Sequence, residues 1–298
     1  MQRKFSDYLW LTLKGMGMGA ADVVPGVSGG TIAFIVGIYD ELIESIKGIN
    51  LQVIKCFFTG RFKEFWKSVN GNFLLSLLLG ICISVFSLAR VITLLLDEQP
   101  VYVWSFFFGL VLASTWFVAR DVKERNWKTL LGFVCGAVVA YLITVATPAE
   151  PSTHPLFVFV CGAVAICAMI LPGISGSFIL MLMGMYKHIM EAVKGPDLIT
   201  LALFAAGALV GITTFSRVLS YALKHFRNLT LAVLSGFMLG SLNKVWPWKT
   251  TMLQVYGGQE FKVVHNVLPH TDMWSGIALM VLGFVLVYAL EKVSSHKS

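Results

Sequence analysis

Six apolar runs dominate this sequence, at about residues 72–96, 101–119, 129–147, 199–223, 229–245 and 273–290. Each approaches the ~17–25 residues that cross a hydrocarbon core. In that medium no water satisfies peptide groups, so such runs must be helices or closed barrel strands, and their length selects helices. Composition agrees: 57% of the 298 residues are hydrophobic and 13% are charged, against about 25% charged in a soluble domain. Disorder, a disulfide-bonded secreted scaffold and a nucleic-acid-binding domain are thereby excluded. The five cysteines form no CxxC pair and the six histidines are scattered, so neither a metal site nor a cofactor is expected.

Two further apolar segments, 8–47 and 156–194, are each cut in the middle by a Pro-Gly-x-Ser-Gly cluster. Each half is short for a full span and suits a re-entrant helix–loop–helix. The two segments align without gaps at an offset of 147 residues. Pro25-Gly26-Val27-Ser28-Gly29 meets Pro172-Gly173-Ile174-Ser175-Gly176, and Glu44 with Lys47 meets Glu191 with Lys194. The next two runs align at an offset of 127, pairing Gly80, Arg90 and Gly109 with Gly207, Arg217 and Gly236; the last run of each half returns to 147, pairing Gly136 with Gly283. The expected fold is an all-α integral membrane protein of two repeats, 1–147 and 148–298. Each repeat is a broken hairpin plus three spans, and the first also carries an amphipathic segment at 48–71. A hairpin returns to its starting side and three spans do not, so the second repeat is inverted, a plan common among secondary transporters.

Charge orients the chain. Sixteen lysines and arginines lie in segments 1–14, 47–71, 120–128, 223–228 and 291–298, against four in 97–100, 148–155, 194–198 and 244–272. The first set is expected in the cytoplasm together with both termini. The Phe-rich basic segment 48–71 suits the surface of an anionic leaflet. Trp246 and Trp248 read as an aromatic belt, and Lys187 with His188 as interface anchors.

The two loops carry the chemistry. Pro25, Gly26, Pro172 and Gly173 stop a helix and turn the chain. A new helix starts near Thr31 and near Ser177. A half-helix N-terminus offers unpaired N–H groups and partial positive charge, which suits phosphate. The candidate phosphate-binding residues are therefore Ser28, Gly29, Gly30, Thr31, Ser175, Gly176 and Ser177, with the two loops expected to meet. The alternative is a kink that serves only helix packing. Arg90 and Arg217 lie inside predicted spans, where an arginine is costly unless it faces a cavity or a partner. They read as two stations for one anionic head group, or as snorkelling or ion-paired side chains. Asp22 precedes the first loop, and its repeat counterpart is Met169. It suits either proton or sodium coupling or a counter-ion role. Glu44 and Glu191 are read alike, with surface pairing to Lys47 and Lys194 favoured.

The motifs PGVSGGT at 25–31 and PGISGSF at 172–178, with the glycine-rich lead-in from Lys14, resemble the polyprenyl-phosphate transporter family, catalogued as domain of unknown function 368. The resemblance covers about 8–290. It implies a multi-pass protein of the bacterial inner membrane that returns undecaprenyl phosphate from the outer to the cytoplasmic leaflet for envelope synthesis. Its partners would be that lipid and other membrane lipids. It implies no catalytic residues. Undecaprenyl-pyrophosphate phosphatases share a PG-x-S motif, but theirs continues with an arginine where Gly29 and Gly176 stand here. That enzyme class and transport of small inorganic anions are the alternatives.

Overall fold

The structure is a computed structural model and describes residues 3–24, 26–195, 197–256, 259–270 and 272–295. The first half holds α1 (Phe5–Val23), α2 (Gly29–Ile35), α3 (Tyr39–Lys47), α4 (Leu51–Phe58), α5 (Phe62–Ser68), α6 (Gly71–Glu98), α7 (Pro100–Arg120) and α8 (Trp127–Val145). The second holds α9 (Pro155–Ile170), α10 (Gly176–Leu182), α11 (Tyr186–Lys194), α12 (Leu198–His225), α13 (Arg227–Ser241), β1 (Lys249–Tyr256), β2 (Gln259–Asn266) and α14 (Met273–Ser295).

Local chemistry sets these boundaries. Pro100 and Pro155 open α7 and α9 at the first helical turn, where no N–H partner is lost. Asn126 caps α8 by accepting from Thr129 N at 3.0 Å, and Asp197 caps α12 by accepting from Thr200 N at 3.2 Å. Among the described residues five helices are long and apolar enough to cross a membrane: the 71–88 part of α6, then α7, α8, α12 and α14. Their outer faces expose Leu78, Phe86, Leu142, Leu209 and Val281 among other large apolar side chains. Water would not tolerate that surface on a monomer and lipid does. The chain is thus a multi-pass membrane protein.

The halves repeat the same elements in order. α2 and α10 have seven residues each, α3 and α11 nine, and α6 and α12 twenty-eight. Gly37 and Gly184, which turn α2 into α3 and α10 into α11, share a φ of 69°. The helices pair as α1 with α6, α9 with α12, α7 with α14 and α8 with α13. Each pair closes through reciprocal glycines. A Cβ on Gly15 would strike the Leu77 carbonyl and one on Gly80 that of Thr12; Gly162 and Gly207 meet Phe204 and Phe159 in the same way. Gly109 and Gly283 hold α7 against α14, and Gly136 and Gly236 hold α8 against α13. Backbones approach this closely only where side chains are absent. The last two pairs join a helix of one half to a helix of the other.

Three elements differ from the sequence reading. Lys249–Tyr256 and Gln259–Asn266 pair as two antiparallel strands, in register from Lys249 opposite Asn266 to Tyr256 opposite Gln259. The described fold is therefore helical with one β-hairpin rather than all-α. The fifth apolar run yields a helix of only 15 residues, ending at Ser241, because Asn243 and then Pro247 follow and the chain turns. The Trp246–Trp248 pair is not a belt: Trp248 is 2% exposed and packs where a side chain on Gly276 would stand, while Trp246 Nε1 donates to the Val267 carbonyl at 2.9 Å. The amphipathic segment forms α4 and α5, on which Phe62 and Trp66 are exposed.

Candidate functional site

The two interrupted segments meet at their loops. Gly26 (φ 92°) and Gly173 (φ 96°) adopt a left-handed turn that costs an L side chain ~1–2 kcal/mol. Ser28 and Ser175 then cap α2 and α10 from extended backbone. Thr31 Oγ1 accepts from the backbone N–H of Gly173 at 3.0 Å, a buried bond between loops 142 residues apart. Ser28 Oγ donates to the Met169 carbonyl at 2.9 Å, and the Tyr39 hydroxyl donates to that of Ile170 at 3.3 Å. Those carbonyls end α9, where helical acceptors lack intrahelical partners. The first loop thus closes the helix that leads into the second. Pro25 lies outside the described residues; Pro172 is buried.

The loops are alike in backbone and unlike in what answers them. In the first, the Asp22 carboxylate accepts from Gly29 N at 2.7 Å, Ser28 Oγ accepts from Gly30 N at 3.0 Å, and Gly29, Gly30 and Thr31 are buried. In the second, Met169 stands in place of Asp22 and brings no acceptor. Ser175 Oγ and Ser177 Oγ share a hydrogen bond at 2.6 Å, and Phe178 N reaches Ser175 Oγ at 3.4 Å. Gly176 and Ser177 are only half-buried, and no bond to their backbone N–H groups occurs among the described residues. One loop carries its own carboxylate; the other leaves the Gly176 and Ser177 amides without an acceptor among the described residues.

The arginines lie elsewhere. Arg90 is exposed on α6 without an ion pair among the described residues. Arg217, exposed on α12, donates to the Ile49 carbonyl at 3.4 Å. Neither touches a loop. The acids of α3 pair at the same end of the molecule as Arg217. Arg3 reaches Glu41 at 2.6 Å and Arg227 reaches Asp40 at 3.0 Å, while Glu44 accepts from Ser220 and from Lys224 at 3.0 Å and has Lys47 at 3.7 Å. Glu191 pairs with Lys187, one turn back, at 3.8 Å rather than with Lys194.

One residue outside the sequence-derived set reaches the loops, and a second adjoins it. Lys244 follows the end of α13; its stem packs on Gly26 and its Nζ stands 4.2 Å from the Phe178 ring centroid. Lys249 Nζ donates to the Lys244 carbonyl at 2.7 Å and stands 3.7 Å from the Trp104 ring centroid. Both are half-buried by surface area, yet densely surrounded. Burial, then the charge of Lys244, pulls Lys249 down to about 7. Lys244 falls inside the apolar run 229–245, so a lysine at membrane depth was the signal available in the sequence. A cleft of about 530 Å³ lies apart from the loops, lined by Tyr8, Lys63, Trp66, Lys67 and Asn70 among others.

The family model described as VCA0040-like, undecaprenyl phosphate translocase-like, matches residues 18–260 and so covers both loops and Lys249. A polyprenyl-phosphate transporter of Vibrio cholerae serotype O1 is 44% identical over 98% of this chain and 99% of its own. A polyprenyl-phosphate transporter of Staphylococcus aureus is 29% identical over 97% and 99%. No solved structure matches. By the extent of the family match and the full-length likeness to the Vibrio protein, this chain belongs to the undecaprenyl phosphate translocase-like family.

Proposed function

We propose that this protein carries polyprenyl phosphate across the bacterial inner membrane, taking undecaprenyl phosphate from the outer to the cytoplasmic leaflet. The observation that carries the reading is the second loop. Among the described residues its Gly176 and Ser177 amides have no acceptor and its Ser175 and Ser177 hydroxyls bond only to each other and to Phe178 N, while the first loop fills the same position with Asp22. A phosphate head is the ligand that such a vacancy in a repeat suits, since a carboxylate already serves in the twin. The likeness to transporters named for polyprenyl phosphate supplies the substrate class.

In this reading the repeats are inverted and the broken hairpins re-entrant. Two contacts support it. Arg3 before α1 pairs with Glu41 in α3, and Ala149 N bonds the Leu182 carbonyl at 2.7 Å, so the two ends of each hairpin lie together. Arg217 on the cytoplasmic side and Arg90 on the outer side are stations by which the head group leaves and enters. The basic cleft beside α5 receives it at the inner leaflet. Proton or sodium coupling belongs to Asp22 or to the Glu44 cluster if transport is coupled.

The test is a leaflet-resolved assay in proteoliposomes with a labelled polyprenyl phosphate. The protein is expected to speed translocation well above empty vesicles, and Ser177→Ala with Ser175→Ala to slow it about tenfold, as loss of charge-assisted bonds to a phosphate does. Translocation at the rate of empty vesicles sinks the reading. Release of phosphate from the corresponding pyrophosphate lipid assigns the protein to the phosphatases instead.

A further inference from the structure

Among the described residues, neither Lys244 nor Lys249 has a carboxylate within ion-pair distance. That is unusual company for this chain, whose α3 acids each hold a basic partner. The two ammoniums instead face aromatic rings, Phe178 at 4.2 Å and Trp104 at 3.7 Å. A ring face attracts a cation without cancelling its charge. Lys249 spends one N–H on the Lys244 carbonyl, which leaves two donors on Lys249 and three on Lys244. The pair is also close enough for the charge of one to hinder protonation of the other. Two like charges, tightly surrounded and uncompensated, are a site awaiting an anion. Their place in the fold says which anion. Lys244 packs on Gly26 of the first loop and over the Phe178 ring of the second segment, and Lys249 is tied to the Lys244 carbonyl, so the pair adjoins the place where the two loops meet.

We infer that Lys244 and Lys249 form a dianion seat that selects a phosphate monoester over the singly charged diesters of ordinary phospholipids. The inference rests on the transport reading above and adds its selectivity. A monoester carries about −1.5 to −2 at neutral pH; a diester has one ionisable oxygen and carries a single charge. A dianion cancels both ammoniums, whereas a diester leaves one of them uncompensated in a poorly solvated place. A carrier in a bilayer meets a vast excess of diesters, so discrimination by charge number is the selectivity it needs. The same chemistry would take inorganic phosphate, and the experiment separates the two sources.

The full-length protein in nanodiscs of zwitterionic lipid is titrated with farnesyl phosphate, with inorganic phosphate and with phosphatidylglycerol. Farnesyl phosphate is expected to bind the unaltered protein at least about tenfold more tightly than phosphatidylglycerol, as one uncompensated charge dictates. Lys244→Met and Lys249→Met, which keep the apolar stem, should each erase that preference and leave diester binding unchanged; Lys249→Arg should retain it. Melting temperatures establish that the variants are folded. Tighter binding of farnesyl phosphate than of inorganic phosphate assigns the seat to a lipid head, and the reverse to free phosphate; either keeps the dianion seat. Both Met variants retaining the full monoester preference would overturn the inference, as would an unaltered protein that binds both lipids equally. Failure of the unaltered protein to bind either phosphate would strike the transport reading itself.

Discussion

Asp22 has a structural duty whatever else it does. Its carboxylate holds Gly29 N at 2.7 Å in a place where Gly29 is buried. Asp22→Ala leaves that N–H without an acceptor and should cost ~1–3 kcal/mol of stability. Asp22→Asn keeps an acceptor oxygen and should lose less than half as much. Thermal unfolding in detergent compares the two; equal losses would dismiss the hydrogen bond as the cause. The sequence pointed to Asp22 because Met169 occupies the matching position, but it offered coupling and counter-ion roles and not this one. The bond depends on how α1 meets the start of α2, which spacing alone does not disclose. The loop serines were legible for the opposite reason: a Ser before a helix start has few roles, and capping is the commonest. Lys244 and Lys249 stayed hidden because a charge tally by loop treats them as topological signals, and only the turn after Ser241 carries them back over the loops.

The helices assemble by contact between backbones. Gly236→Val would drive a branched side chain against the Phe133 carbonyl of α8. Overpacking of this kind costs ~1–3 kcal/mol or displaces the helix. Gly195→Ala, which meets only the Glu191 carbonyl at 3.3 Å, should be near neutral. Unfolding followed by tryptophan fluorescence measures both, and equal melting temperatures would show that the close crossing is dispensable. At this scale the long helices were readable from apolar length, and the short α2 and α10 from the breakers on one side and the turning glycines, Gly37 and Gly184, on the other. The β-hairpin was not. Gly-Gly at 257–258 lies between two runs rich in Val, Thr and aromatic residues, the pattern of a hairpin. It was masked by the expectation that a polar stretch between spans is a plain loop.

For the whole molecule, the charge distribution predicts an orientation, and that orientation is open to direct test. In a variant with its native cysteines replaced, Asn266→Cys should react with a membrane-impermeant maleimide on intact cells. Arg125→Cys should react only after permeabilisation. The opposite pattern would invert the transport direction proposed above. The glycine matches between the halves were legible, but the sequence did not reveal that those glycines are where helices touch, nor that the pairing crosses the halves. That crossing bears on how the protein is made. When the ribosome has completed residue 147, α7 and α8 have their glycine faces bare, since α14 and α13 are still unsynthesised. The first half must wait in the bilayer, incomplete, for a partner that arrives from its own chain. A gene split between the halves would give two pieces that each lack what the other holds, and the last helix to be inserted is the one that closes the first half.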